Sequence, residues 1–347
     1  MTKFLLVGFI SVVGLLGILW LHVILTTSTR TDNAVEMFDS FLEPIPGDPQ
    51  NVFGNNVQRF YIHKRGYDVL VFVQIPFTGA EDLSTLLLNG LLYGPCPECD
   101  GQPDCYCYDY YRESVLLSNI KHPWPCGMYP GLRTLWACIR ASRDLGIHRR
   151  RYKRMRYLYW TLLRNPAHHF YNEWLEVRTR GWPKWSQIPA AKMDNANREC
   201  HAMANGKDVS FKTFVSCPQN PAFNRQTRML ANMSLHECLS ATRMSENHCY
   251  DKMLSSAKDT LKHMPFFGIT EYSYMTQVLF EETFQLKIVD KYVHPLHMET
   301  FMSFDISRED VETISNLNKY DFLLYDYAQE LFLERYDTLV TFRITEL

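Results

Sequence analysis

The sequence predicts an α/β fold, a mainly parallel sheet flanked by helices, with a helical C-terminal half. Three observations predict it. Asp68-Val-Leu-Val-Phe-Val-Gln-Ile75 is a short continuous apolar run, as a strand buried on both faces requires. The turn Pro76-Phe-Thr-Gly-Ala80 follows it, and Leu83, Leu86, Leu87, Gly90 and Leu91 then recur at helical spacing, so strand, turn and helix open an α/β unit. Beyond Pro221 the pattern is mainly helical, and residues 308–336 place Val311, Ile314, Leu317, Leu324, Leu331 and Phe332 close to the period of an amphipathic helix. A second strand, Arg156-Tyr-Leu-Tyr-Trp-Thr-Leu-Leu163, ends where Arg164-Asn165-Pro166 turns the chain.

Composition narrows the class. The 347 residues carry 36 Lys and Arg against 38 Asp and Glu, with 46% hydrophobic and 14% aromatic residues, which excludes a disordered polyelectrolyte or a nucleic-acid packing protein. From Phe4 to Thr26 there is no charged residue, and at ~1.5 Å per residue this run can cross a hydrocarbon core of ~30 Å. It is longer than the ~7–15 apolar residues of a signal peptide, and Leu25-Thr-Thr-Ser-Thr29 is a poor cleavage site, so a retained anchor is preferred. Lys3 and the amino terminus on one flank, against Arg30 countered by Asp32 on the other, favour a type II arrangement. The chain divides into a cytosolic tail (1–3), an anchor (4–26), a Pro-containing stem (27–60) and a luminal domain (61–347). All 10 cysteines follow the anchor, where an oxidising lumen would pair them, and Asn232-Met-Ser234 is a glycosylation sequon.

Several clusters carry candidate chemistry. The turn at 76–80 lies where a phosphate-binding loop would sit, with Thr78, Gly79 and a helix N-terminus behind them. It lacks a cation, and Glu81-Asp82 suit a helix dipole better than a phosphate, so from the residues alone a capped helix outweighs a nucleotide loop. Cys96-Pro-Glu-Cys99 and Cys105-Tyr-Cys107 have the spacing of a zinc knot, but an oxidising compartment favours disulfides of unreadable connectivity. The histidines show no metal-ligand spacing, and no metal is expected. The densest basic run, His148 to Arg156, includes Arg149, Arg150, Arg151, Lys153 and Arg154; in a lumen its polyanion would be a sulfated glycosaminoglycan, against a bland reading as a solvated loop. Arg164 at a strand end can present a guanidinium fork to a phosphate or can be structural.

Together the motifs resemble the heparan sulfate 6-O-sulfotransferases over roughly residues 66–336. The most specific are Cys217-Pro-Gln-Asn, Asn224-Arg-Gln-Thr-Arg-Met-Leu230, Phe266-Phe-Gly-Ile-Thr-Glu271, Thr276-Gln-Val-Leu-Phe-Glu281, Leu317-Asn318 and Leu324-Tyr-Asp-Tyr-Ala328. Leu163-Arg164-x-Pro166, Glu173-Trp174, Cys126-Gly127 and Cys138 match earlier in the chain. The resemblance implies a PAPS-dependent sulfotransferase fold in a Golgi type II membrane protein, and transfer of a sulfo group from PAPS to the glucosamine 6-hydroxyl of heparan sulfate.

It also assigns residues, some by match and some by departure. Arg164 and, eight residues on, Asn172 in place of the family Ser fall at the 3′-phosphate site, and Thr78 and Gly79 fall in the 5′-phosphosulfate loop. There the family Lys is Phe77, one Gly is Ala80, and two Thr are Glu81 and Asp82. The family's basic His becomes Tyr129, a poor base because a phenol titrates near ~10. His122 is a substitute base in sequence, and Lys121 and Arg133 are the nearest cations. These departures set an alternative beside the enzyme reading: a catalytically silent relative that binds heparan sulfate or partner Golgi enzymes.

Overall fold

The computed structural model describes residues 52–53, 57–60, 68–90, 107–108, 114–117, 129–137, 156–181, 209–217, 220–242, 245–293 and 307–346. The anchor 4–26, most of the stem, His122, the basic run through residue 155 and most of the cysteine-rich stretch lie outside them. Among the described residues no helix is long and apolar enough to cross a membrane. The chain divides into two units, Met1–Asp48 with Arg343–Leu347, and Pro49–Phe342. The sheet and the candidate site belong to the second.

Two short strands, β1 (Val52–Phe53) and β2 (Val57–Gln58), pair antiparallel. The chain after them is tied down: Phe60 N–H donates to Thr283 O at 2.6 Å and Arg59 pairs with Glu282 at 3.0 Å. The central sheet contains β3 (Asp68–Val73), β4 (Cys107–Tyr108), β5 (Ser114–Leu117), β6 (Arg156–Leu163) and β7 (Phe266–Ile269), in the order β4-β5-β3-β6-β7. Strands β5, β3, β6 and β7 run parallel, with β3 and β6 paired from Asp68↔Arg156 to Val73↔Thr161. β4 is the antiparallel edge.

Both predicted strands exist because their apolar runs are covered on both faces. Phe72 stacks on Trp160 with ring centroids 3.8 Å apart, and Trp160 meets Phe266 and Phe280. β7 was not read as a strand from sequence, because four residues ending in a motif carry too little periodicity. Gly268 at its centre is set by packing: a Cβ there would come within 2.4 Å of Thr276 Cγ2 and 2.8 Å of Leu162 Cδ1.

The helices are α1 (Ala80–Gly90), α2 (Pro166–Arg180), α3 (Phe211–Ser216), α4 (Arg225–Leu230), α5 (Leu235–Thr242), α6 (Glu246–His263), α7 (Ser273–Phe284), α8 (Arg308–Leu317) and α9 (Lys319–Glu346). α2 starts where Asn165 accepts the N–H groups of Ala167 and His168 and Pro166 occupies the first turn. The single amphipathic helix expected over 308–336 is two helices. Asn318 interrupts it, with its side chain used to accept Asn224 N–H at 3.0 Å. Cys238 and Cys249 form a disulfide, joining α5 to α6, and Cys217 is also disulfide-bonded.

Candidate functional site

β3 delivers the chain into the loop 76–80, and two residues there have positive φ: Gly79 at 75° and Phe77 at 64°. A bulky side chain in the left-handed region persists only where its surroundings fix it. Four consecutive carbonyls are held. Thr78 Oγ1 donates to Ile75 O at 2.8 Å, His169 Nε2–H donates to Pro76 O at 2.8 Å, Arg164 Nη1 donates to Phe77 O at 3.1 Å, and Thr270 Oγ1 donates to Thr78 O. The Phe77 ring stands edge-on to His169. His169 is held neutral, its pKa lowered to about 3 by burial first and by the charge of Arg225 second. The first helical bond of α1 is Leu83 N–H to Gly79 O at 3.2 Å. The amides before Leu83 therefore have no intrahelical acceptor, the property that makes a helix N-terminus receptive to an anion.

One strand over, Arg164 leaves the end of β6 and is only 6% exposed. Its backbone is clamped by Gln226, which accepts Arg164 N–H at 3.0 Å and donates to Arg164 O at 2.9 Å. With the Asn172 amide oxygen turned toward the guanidinium, it accepts from Nη1 at 2.6 Å and Nη2 at 3.2 Å. Burial lowers the Arg164 pKa, opposed by the carboxylate of Glu271. Arg164 Nε is buried with no hydrogen-bond partner among the described residues, and so is the hydroxyl of Tyr292, itself 3% exposed.

The head of α1 differs in character. Glu81 and Asp82 are exposed, and Tyr129 OH donates to Glu81 Oε1 at 3.0 Å. Tyr129 is placed by Gly131, where a Cβ would lie 3.2 Å from Met229 O, and by buried Leu132 and Leu135 in the helical segment 132–137. Burial, and then Glu81, push the Tyr129 phenol well above its ordinary range, so it holds its proton and donates it. Arg133 is exposed one turn further on.

Sequence reasoning missed the frame behind these groups. Asn224, in the left-handed region at φ 48°, receives the N–H groups of Tyr320 at 2.9 Å and Asp321 at 3.3 Å, and donates to Leu317 O at 3.0 Å. Asp321 in turn accepts Gln226 N–H at 3.1 Å and Thr227 N–H at 2.7 Å, which caps α4. Burial raises the Asp321 pKa to about 6 against those hydrogen bonds. Glu173 pairs with Arg225 through Nε at 2.9 Å and through Nη2. Glu271 accepts Asn165 N–H at 2.9 Å and Tyr325 OH at 2.8 Å. Burial pushes Glu271 up, but these bonds and His168 outweigh it and hold it below the usual carboxylate range. The residues that matched as motifs are thus largely partners of one another.

Comparison with known proteins accords with this architecture. The profile described as "Sulfotransferase family" matches residues 139–328, more than half of the chain. Heparan-sulfate 6-O-sulfotransferase 2 of Danio rerio is 35% identical over 281 residues, 79% of this chain and 60% of the relative. The protein of the same name from Gallus gallus is 32% identical over 288 residues, 82% of this chain and 71% of that one. The one from Homo sapiens is 33% identical over 277 residues, 78% and 46% respectively. The chain therefore spans about half to two thirds of the length of these relatives. The parallel sheet, its loop and helix, and the matched profile define a sulfotransferase-family protein. Within that class, the chain belongs to the heparan-sulfate 6-O-sulfotransferase family.

The sulfo donor of such a family, PAPS, can be tested against the residues present. On the Arg164 side they fit, because the guanidinium's buried Nε is a donor with no acceptor among the described residues. On the α1 side they do not supply what a phosphosulfate asks for: Phe77 brings no charge and Glu81 and Asp82 bring the wrong sign. Thr78, assigned to this loop, turns its hydroxyl inward to Ile75 O. Among the described residues no group of His, Cys, Asp and Glu could hold a metal.

Proposed function

We propose that the protein acts in heparan sulfate modification as a 6-O-sulfotransferase, moving a sulfo group from PAPS to the 6-hydroxyl of glucosamine. The observation that carries this reading is the Arg164 side of the site. A buried guanidinium at the end of the strand beside β3, braced by Asn172 and by the loop carbonyl of Phe77, has the charge and the fixed geometry to receive a donor nucleotide's phosphate. PAPS supplies the activated sulfo group; Arg164, Asn172 and the amides at the head of α1 bind and orient it. The protein is a Golgi single-pass membrane protein in this reading, anchored by residues 4–26, with the basic run 148–156 holding the polysaccharide. Asn232, exposed between α4 and α5, carries a glycan.

A second reading rests on one specific observation: the Tyr129–Glu81 hydrogen bond beside a loop without lysine. A phenol that keeps its proton and a carboxylate near the reacting end suit binding of heparan sulfate without transfer. The test is incubation of the full-length chain with sulfur-labelled PAPS and 6-O-desulfated heparin, followed by disaccharide analysis. Label in 6-O-sulfated disaccharides that disappears with Arg164→Ala supports transfer. A folded protein that retains the polysaccharide but incorporates no label supports the second reading instead.

A further inference from the structure

The segment 129–137 runs from the head of α1 to the middle of β6. At one end Tyr129 OH donates to Glu81 Oε1 at 3.0 Å. At the other, Trp136 meets Tyr159 of β6, with ring centroids 6.2 Å apart and planes at 70°. Gly131 lets the segment approach α4 closely, and Leu132 and Leu135 turn into the core. The opposite face of the helical turn carries Arg133 and Trp136, three residues apart and both exposed. Trp136 is 45% exposed, and no other aromatic side chain among the described residues is exposed. An indole left in water forgoes one of the largest apolar burials a side chain offers, so its exposure is informative. The ring is not loose. Trp160, the next residue of β6, stacks on Phe72 at the other face of the sheet, which leaves Tyr159 to hold Trp136. Whichever ring supplies the edge in that T-shaped contact, at least one face of the indole stays uncovered by Tyr159.

We propose that Trp136 and Arg133 form a saccharide subsite, in which the indole stacks on the C–H face of a pyranose ring and the guanidinium pairs with a sulfate or carboxylate beside it. The proposal rests on the heparan sulfate reading above, and it holds for transfer and for binding without transfer alike. Three features select this occupant. A pyranose has an apolar face rimmed by hydroxyls, which suits a ring with one dry and one wet side. Arg133 brings a planar fork that matches sulfate and carboxylate oxygens in pairs. Glu81 and Asp82, exposed at the head of α1, repel the same polyanion there, so the exposed cation and indole on the order of 10 Å further along the segment are where it is held. The subsite therefore reads a sugar that flanks the one at the head of α1.

The test is calorimetric titration of the full-length chain with a heparan sulfate hexasaccharide and with linear polyphosphate, a polyanion without sugar rings. Trp136→Leu is expected to weaken the hexasaccharide about ten-fold and to leave polyphosphate unchanged, and Trp136→Phe to recover most of the loss. Arg133→Gln should weaken both ligands. Wild-type hexasaccharide affinity in Trp136→Leu overturns the subsite, as does an equal loss for the two polyanions. Should Trp136→Leu melt below the wild type, fluorine NMR of the fluorotryptophan-labelled wild type decides, the Trp136 line being the one missing from Trp136→Phe. The hexasaccharide is expected to move that line and polyphosphate to leave it in place; a line moved by neither overturns the subsite. A wild type that binds no hexasaccharide removes the heparan sulfate reading itself, a failure distinct from a wild type that binds it without using Trp136.

Discussion

The two sides of the candidate site are built to different standards. Around Arg164 every neighbour is fixed: Gln226 clamps its backbone, Asn172 and Phe77 O take its guanidinium, and His169 holds the adjoining carbonyl. At the head of α1 Glu81 and Asp82 are exposed, and half-buried Tyr129 is joined to Glu81 by a hydrogen bond at the surface. A charge buried among fixed partners keeps one geometry, whereas an exposed hydrogen bond is worth little and can be exchanged for water. The difference teaches that the buried frame around Arg164 and the head of α1 are separable here, and that most of the sequence departures fall at the head of α1 and in the loop before it.

The largest expected effect tests the buried side through pH. His169 has a folded pKa of about 3 against an ordinary value near ~6.5, so its contribution is complete above ~6.5 and is lost as pH falls towards 3. The shift corresponds to stability on the order of 5 kcal/mol. Asp321, raised to about 6 from 3.8, acts oppositely: the folded state keeps a proton the unfolded chain has lost, so stability falls by about 3 kcal/mol as pH rises from 3.8 to 6. Urea denaturation across pH 3–7 should show net acid loss, and His169→Gln, which can still donate to Pro76 O, should abolish it. A pH profile unchanged by the substitution would mean that His169 titrates normally.

Arg164→Ala comes next. It strips donors from Phe77 O and Asn172 in a buried setting, and a loss of about 2–4 kcal/mol in unfolding free energy is expected. Arg164→Lys should recover part of it at most, because an ammonium cannot span both acceptors. Equal stability of all three proteins would show that the loop holds its shape unaided. At the exposed side the informative change is a gain. Phe77→Lys with Tyr129→His restores a cation and a titratable base, and sulfo transfer to 6-O-desulfated heparin should rise about 10²-fold or more. No increase would locate the defect in Glu81 and Asp82. The smallest effect is Tyr129→Phe, which removes one exposed hydrogen bond and should shift stability by less than about 0.5 kcal/mol in thermal unfolding.

Much of this frame was legible in the sequence. The runs 68–75 and 156–163 read as buried strands and are β3 and β6, and the spacing from Leu83 read as the helix that became α1. Arg164 was singled out by its position at a strand end. What stayed hidden depends on contacts between distant residues. Tyr292 belongs to no motif, and nothing local marks its hydroxyl as buried. Asn224 and Asn318 read as matched letters, and only the folded chain shows them bonded to each other. Asn318 also hid the break between α8 and α9, since the apolar period runs through it undisturbed.

The Asn224–Asn318 contact and the Asp321 cap on α4 have a consequence for biosynthesis. Gln226, which clamps Arg164, sits in a helix whose first amides are received by Asp321, 95 residues further on. The loop at 76–80 and β6 emerge from the ribosome long before that residue does. Completion of this frame is therefore deferred until Asn318 and Asp321 have been made, and termination before Asn318 should yield a chain with both strands but without the frame around Arg164. Quality control of the newly made chain would then be reading the docking of α9.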